Sequence, residues 1–162
     1  MKKLTIAAGT RIAADAGAQI GAQGGNAVDA AIAAMVVSVC TDTGIMSPGC
    51  GAFITVWPPG GEPQVIDGYA EMPGRGYGGQ HFGEATHEVV FDYGGDTRQR
   101  VGYGTIATPG GFAGLALASR HYGRLSWQTL FEPAIDLVEQ GFPLTGGAAE
   151  YLSFTHQAIY SW

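Results

Sequence analysis

Gly24-Gly25-Asn26-Ala27-Val28-Asp29-Ala30-Ala31-Ile32-Ala33-Ala34 is the stretch on which the fold turns. A glycine pair ends the helix before it, because Gly takes the position after a helix without a Cβ penalty. Asn26 is then a good N-cap, its side-chain oxygen able to accept from the first free backbone N–H groups. Residues 27–40 follow as a second helix, rich in Ala and apolar nearly all round. A helix without a polar face is buried on most sides. Upstream, residues 11–23 read as a first helix with Ile12, Ala16 and Ile20 on one face. Residues 4–8, Leu-Thr-Ile-Ala-Ala, read as a short buried strand ending at Gly9.

Downstream, residues 41–51 form a loop punctuated by Pro48, Gly49 and Gly51. Residues 52–57 are a strong strand, Pro58-Pro59-Gly60-Gly61 a turn and residues 64–67 the return strand. Together they predict an antiparallel hairpin. Residues 71–104 are Gly-rich and irregular, with one strand signal at 88–93. So long a loop in a compact unit is functional or borders chain that lies elsewhere. Thr108-Pro109-Gly110-Gly111 leads into a helix over 112–122, closed by Gly123. Ser126 caps a helix over 127–140, closed by Gly141, and residues 146–160 suggest a last one. Thr129 stands where a capping box would need Glu or Gln, so Ser126 caps alone. The order of elements predicts an α+β layered fold, with residues 1–162 as a single domain.

Composition narrows the function. Of 162 residues 27 are Gly, and only 14 % are charged, against a usual ~25 %. So little charge leaves little material to cover a surface, and such a chain hides part of itself against a partner; we expect association. The net charge of −6, without any basic run, excludes an ordinary nucleic-acid binder. The apolar run 30–40 is too short to cross a bilayer, which takes about 20 residues. Residues 4–9 are too short for a signal-peptide core of about 7–15 residues, so the expected location is cytoplasmic, or periplasmic or secreted if a leader was removed. Cys40 and Cys50 leave a disulfide open, although two small packed thiols are the plainer expectation. No Cys/His spacing suggests a metal, and no cofactor is expected.

No catalytic constellation is complete in the residues themselves. Gly74-x-Gly76-x-x-Gly79 has dinucleotide-loop spacing but lacks a following helix, so it reads as plain loop. A small-molecule site on the loop glycines Gly74, Gly76, Gly78, Gly79 and Gly83 is the weakest functional alternative. Thr86-His87 and Thr155-His156 look like nucleophile and base, but adjacent strand residues point to opposite faces. A Thr nucleophile served by its own amine must begin a chain, and neither does. His81 and His121 have no ligand-spaced partner, Ser47 is not in a nucleophile elbow, and the pair Asp67 and Glu71 is no evidence of acid/base work.

The stretch 24–34 resembles the γ-glutamyltransferase (γ-glutamyl transpeptidase) family near the start of its large subunit. Met46-Ser47-Pro48-Gly49-Cys50-Gly51-Ala52-Phe53, Thr108-Pro109-Gly110-Gly111-Phe112-Ala113-Gly114 and Pro133-Ala134-Ile135-Asp136-Leu137-Val138-Glu139-Gln140-Gly141-Phe142 resemble it in the same order, with Asp67 and Pro73 between, over about residues 5–145. The resemblance implies part of an N-terminal-nucleophile hydrolase αββα sandwich. It implies a precursor that cleaves itself, and a Thr at the head of the small subunit that attacks a γ-glutamyl amide. That Thr region is not in these 162 residues, so no residue here is expected to be catalytic. The implied partner is the remainder of the precursor, or a small subunit carrying the Thr, with a homo-oligomer as a further expectation. The family places an Arg two residues after the hairpin's Asp to grip the α-carboxylate, as a planar bidentate donor does well. Here that position is Tyr69, which offers one hydroxyl and no charge; Arg75 is six residues on. Tyr69 and Arg75 are therefore the expected substrate-binding residues. Three outcomes stay open: a γ-glutamyl enzyme segment, a segment of a related acylase with a less anionic substrate, and a non-catalytic structural or interaction module.

Overall fold

The computed structural model describes residues 4–76, 78 and 84–160. The elements run α1 (Arg11–Ala22), α2 (Ala27–Thr41), β1 (Ala52–Val56), β2 (Gln64–Gly68), β3 (His87–Asp92), β4 (Asp96–Val101), a 3-10 turn (Tyr103–Thr105), α3 (Gly111–Tyr122), α4 (Trp127–Gln140) and α5 (Gly146–Ile159). The fold is α+β.

Each signal in the stretch 24–34 has a structural task. Gly24 takes φ +97°, a left-handed conformation that ends α1. A Cβ on Gly25 would stand 2.8 Å from the Ile20 carbonyl. The Asn26 side chain accepts from Val28 and Asp29 N–H, and the Asp29 carboxylate accepts from Asn26 N–H at 2.8 Å, which closes a capping box. Asp29 does more. Fully buried, it also accepts from Arg124 N–H at 3.0 Å and Leu125 N–H at 3.4 Å. The Asn26 amide donates to the Tyr122 carbonyl at 2.6 Å. The start of α2 is thus tied to the α3–α4 connection.

The core lies among the helices. Ala13, Ala16 and Ile20 of α1 pack with Ile32, Ala33, Val36 and Val37 of α2, Leu115 and Ala118 of α3, and Leu130 and Ala134 of α4. Alanines let the helix axes approach closely, so α2 is enclosed on most sides, as its sequence predicts.

β1 and β2 pair antiparallel, with Ala52 opposite Gly68 and Val56 opposite Gln64. Alternation splits the hairpin into two faces. Ile54 and Ile66 turn toward the core cluster, whereas Phe53, Trp57, Val65 and Tyr69 are exposed.

Two expectations need correction. Residues 4–8 form no strand: none of their backbone groups has a hydrogen-bond partner among the described residues, and a strand needs a ladder. Residues 71–104 are less irregular than their glycines suggest. β3 and β4 form a second antiparallel hairpin from His87 opposite Val101 to Asp92 opposite Asp96. Gly94 and Gly95 turn it with positive φ, and the Asp92 carboxylate accepts from Gly95 N–H at 3.0 Å. β4, Asp-Thr-Arg-Gln-Arg-Val, shows no apolar alternation, because four of its six residues are exposed.

Candidate functional site

The end of β2, the bridge from Glu71 to Thr108, and the first turns of α3 enclose a cleft of about 290 Å³. Glycine builds it. A Cβ on Gly110 would stand 2.5 Å from the Tyr69 carbonyl, and one on Gly68 would stand 2.8 Å from the Gly110 carbonyl. Only backbones without side chains stack this closely, which is the physical content of the Thr108-Pro109-Gly110-Gly111 motif. Gly111 N–H donates to the Cys50 carbonyl at 3.0 Å, bringing the loop before β1 to the same place. Glu71 and Thr108 exchange both backbone hydrogen bonds, at 3.0 and 2.8 Å.

Tyr69 lines this cleft with Asp67, Glu71 and Thr108 above an apolar floor of Ile66, Ala113 and Leu117. The Asp67 carboxylate accepts from Tyr69 N–H at 3.0 Å, and the Tyr69 ring stacks on Phe53 with centroids 5.2 Å apart. Arg75 is not among the lining residues. Its guanidinium donates to the Glu71 carboxylate at 2.5 Å, an exposed pair in which Glu71 alone reaches the cleft. The lining therefore carries two carboxylates and no Lys or Arg among the described residues. Sequence reasoning named Tyr69 and Arg75 and set the pair Asp67 and Glu71 aside, yet both carboxylates line the cleft and Glu71 holds Arg75.

The remaining candidates resolve into structure. The Thr155 hydroxyl is buried and donates to the Tyr151 carbonyl at 2.7 Å, while the His156 ring bonds the Leu152 carbonyl at 2.8 Å. The Thr86 hydroxyl accepts from Arg100 at 3.0 Å. His121 contacts the Tyr122 ring, and Ser47 is a turn residue whose carbonyl accepts from Cys50 N–H. Gly74 and Gly76 have positive φ, while Gly79, His81 and Gly83 lie outside the described residues. Both cysteines are free, and burial pushes the Cys40 thiol above its usual range. Among the described residues no group of three His, Cys, Asp or Glu is placed to hold a metal, and no helix is long and apolar enough to cross a membrane.

Residues 13–162 match the family model described as Gamma-glutamyltranspeptidase. The chain belongs to the γ-glutamyltranspeptidase family. It is 35% identical over 133 residues to Scoloptoxin SSD14 of Scolopendra dehaani, covering 81% of this chain and 21% of that protein. To Glutathione hydrolase 5 proenzyme of Rattus norvegicus it is 30% identical over 152 residues, covering 93% of this chain and 25% of that one. Among solved structures, the Helicobacter pylori γ-glutamyltranspeptidase superposes with a TM-score of 0.78 at 22% identity, over 100% of this chain and 46% of that chain. The cephalosporin acylase of Bacillus halodurans superposes with a TM-score of 0.69 at 27% identity, over 93% of this chain and 27% of that chain. The α+β fold is therefore part of the N-terminal-nucleophile hydrolase sandwich of the γ-glutamyltranspeptidase family. The chain spans about a quarter of the length of the curated relatives it matches, several of which are named as proenzymes.

Proposed function

We propose that residues 1–162, as one domain, form the N-terminal segment of the large subunit of a γ-glutamyltransferase-like amidohydrolase. The continuous family match over residues 13–162 carries this reading. The reaction needs a second polypeptide, the remainder of the precursor, that begins with Thr. Its hydroxyl attacks the substrate amide carbonyl while its own amine takes the proton. The amine leaving group departs from the tetrahedral intermediate, and water or an acceptor amine releases the acyl group. This chain contributes one wall of the acyl cleft through Tyr69, with Arg75 steering Glu71 at its edge. Neither nucleic acid, membrane nor cofactor enters, and the site of action is the cytoplasm, or the periplasm or exterior should a leader direct it there.

A second reading has its own support. Tyr69 carries no charge, and the one Arg close in sequence is engaged by Glu71. A cleft lined by Asp67 and Glu71 holds a carboxylate poorly, so an acyl group less anionic than γ-glutamyl suits it better. A non-catalytic structural or interaction module remains the competing class.

The test is hydrolysis of γ-glutamyl-p-nitroanilide and of a neutral acyl anilide by the natural protein, with the denatured masses of its polypeptides. A Thr-initiated second polypeptide with turnover of either anilide supports the enzyme; a single polypeptide inert toward both overturns it. Tyr69→Arg restores a bidentate donor, so it should lower the KM for the γ-glutamyl anilide about tenfold or more relative to the neutral one. An unchanged ratio removes Tyr69 from the acyl site.

A further inference from the structure

Phe53 stands opposite Asp67 in the β1–β2 register, and Tyr69 follows Asp67 by two, so both rings rise from the same face. Diagonal neighbours of this kind are within reach of each other when they are aromatic. The rings stack with centroids 5.2 Å apart and planes 10° from parallel. Gly51 admits the pair: a Cβ there would stand 3.0 Å from Tyr69 Cδ2 and 2.9 Å from the Ala70 backbone nitrogen. The Tyr69 ring is thus held on one face by Phe53 and at one edge by Gly51. Yet the residue is 59% exposed, and no second ring stacks on it among the described residues.

This fixed ring stands at the rim of the cleft, above the apolar floor of Ile66, Ala113 and Leu117. The two carboxylates beside it are already engaged. Asp67 accepts from the Tyr69 N–H, and Glu71 accepts from Arg75. What the cleft offers an incoming group is therefore an aromatic face and apolar surface, with no cation for an anionic group and no idle carboxylate for a cationic one. Its volume of about 290 Å³ lies at the small end of ligand pockets, which run from about 300 to 1,000 Å³. One ring on a short linker suits that size.

We propose that the cleft selects an arylacyl group, a single aromatic ring on a short linker to the amide carbonyl, and that this ring continues the Phe53–Tyr69 stack. Tyr69 touches the acyl group, and Phe53 is a positioning residue that holds the Tyr69 plane. This substrate class deepens the reading of the cleft as the site of a weakly anionic acyl group, and rests on it. An offset aromatic pair gains about 2- to 12-fold in affinity beyond the area it buries. An aliphatic ring of the same size gains the burial and not the stack.

Phenylacetyl-p-nitroanilide and cyclohexylacetyl-p-nitroanilide, which differ in the aromaticity of that ring, test the proposal on the natural protein. kcat/KM should favour the phenylacetyl compound about 3-fold or more. The preference should lie in KM, because the stack forms alike in the ground and transition states. Tyr69→Phe keeps the ring and should keep the preference, whereas Tyr69→Leu should bring the ratio to about one. Phe53→Leu should raise KM for the phenylacetyl compound alone with kcat unchanged, a split that general destabilisation does not produce. An unchanged KM there withdraws the positioning role of Phe53. Equal kcat/KM for the two compounds, or a preference that survives Tyr69→Leu, overturns the proposal. Isothermal titration with phenylacetamide and cyclohexylacetamide reads the same preference without catalysis. A binding preference without turnover of any anilide ends the enzyme reading and keeps the aromatic cleft, whereas turnover of both neutral anilides without the preference does the reverse.

Discussion

The helical layer and the β1–β2 hairpin treat their apolar residues in opposite ways. In the helices, apolar side chains from α1, α2, α3 and α4 converge on one core, and the fully buried Asp29 has its carboxylate occupied by backbone N–H groups from two elements. In the hairpin, one face packs on α3 while the other leaves Phe53 63% and Trp57 75% exposed. One layer is closed by this chain's own residues, and the other is a half-core. Three helices surround α2 well, but a two-stranded sheet has only one neighbour to cover two faces. The incomplete side is also the side where Tyr69 stacks on Phe53, so the half-core and the candidate acyl cleft meet.

The largest effect should come from breaking the closed side. Asp29→Ala leaves the N–H groups of Asn26, Arg124 and Leu125 without their acceptor. A loss of about 3–4 kcal/mol in urea unfolding is expected. A loss below about 1 kcal/mol would mean that water reaches those groups and the layer is less closed than described.

Gly110→Ala probes the seam between the layers. The new Cβ meets backbone oxygens of Tyr69 and Gly68 rather than flexible side chains. The backbone must shift, costing about 1–3 kcal/mol, with altered turnover because the cleft wall moves. A neutral result would show that the seam has slack.

Val65→Lys tests the open side. Val65 is 65% exposed, so unfolding of the chain should change by less than about 0.5 kcal/mol. Self-association measured by sedimentation velocity should fall, because a charge now sits in the apolar face. Unchanged association would place the sticky surface elsewhere.

The smallest effect is a pH dependence at Cys40. Burial raises its thiol above the usual range, so the folded state holds the proton more tightly than the unfolded state. That contribution is fully present below the unfolded-state pKa of about 8.5 and is lost as pH rises through the folded value. Stability should therefore decline slightly above about pH 8.5, and Cys40→Ala should flatten the decline. An identical slope in the variant would assign the decline to other groups.

Much of the fold was legible because its signals are local. Gly24-Gly25-Asn26 announces a helix end and a cap within three residues, and Ser126 and Gly123 do the same for α4 and α3. The β1–β2 hairpin shows in its apolar strands and Pro-Gly turn. β4 was hidden because an exposed, charged strand has no hydrophobic period, and residues 4–8 carry strand chemistry without a strand partner among the described residues. In the candidate site, Tyr69 was singled out only through the resemblance, as the residue at the family's Arg position two after Asp67. Glu71 was set aside with Asp67, because its place in the cleft depends on a bridge to Thr108, 37 positions away in the chain.

By itself the sequence determined where the helices begin and end and which of them is buried. Each of these depends on a few neighbouring residues or on composition. The tertiary structure alone decided that Asp29 joins α2 to the α3–α4 connection and that glycines let β2 and α3 stack into a cleft. Those are contacts between residues far apart in the chain, and no local propensity encodes which distant backbone will arrive.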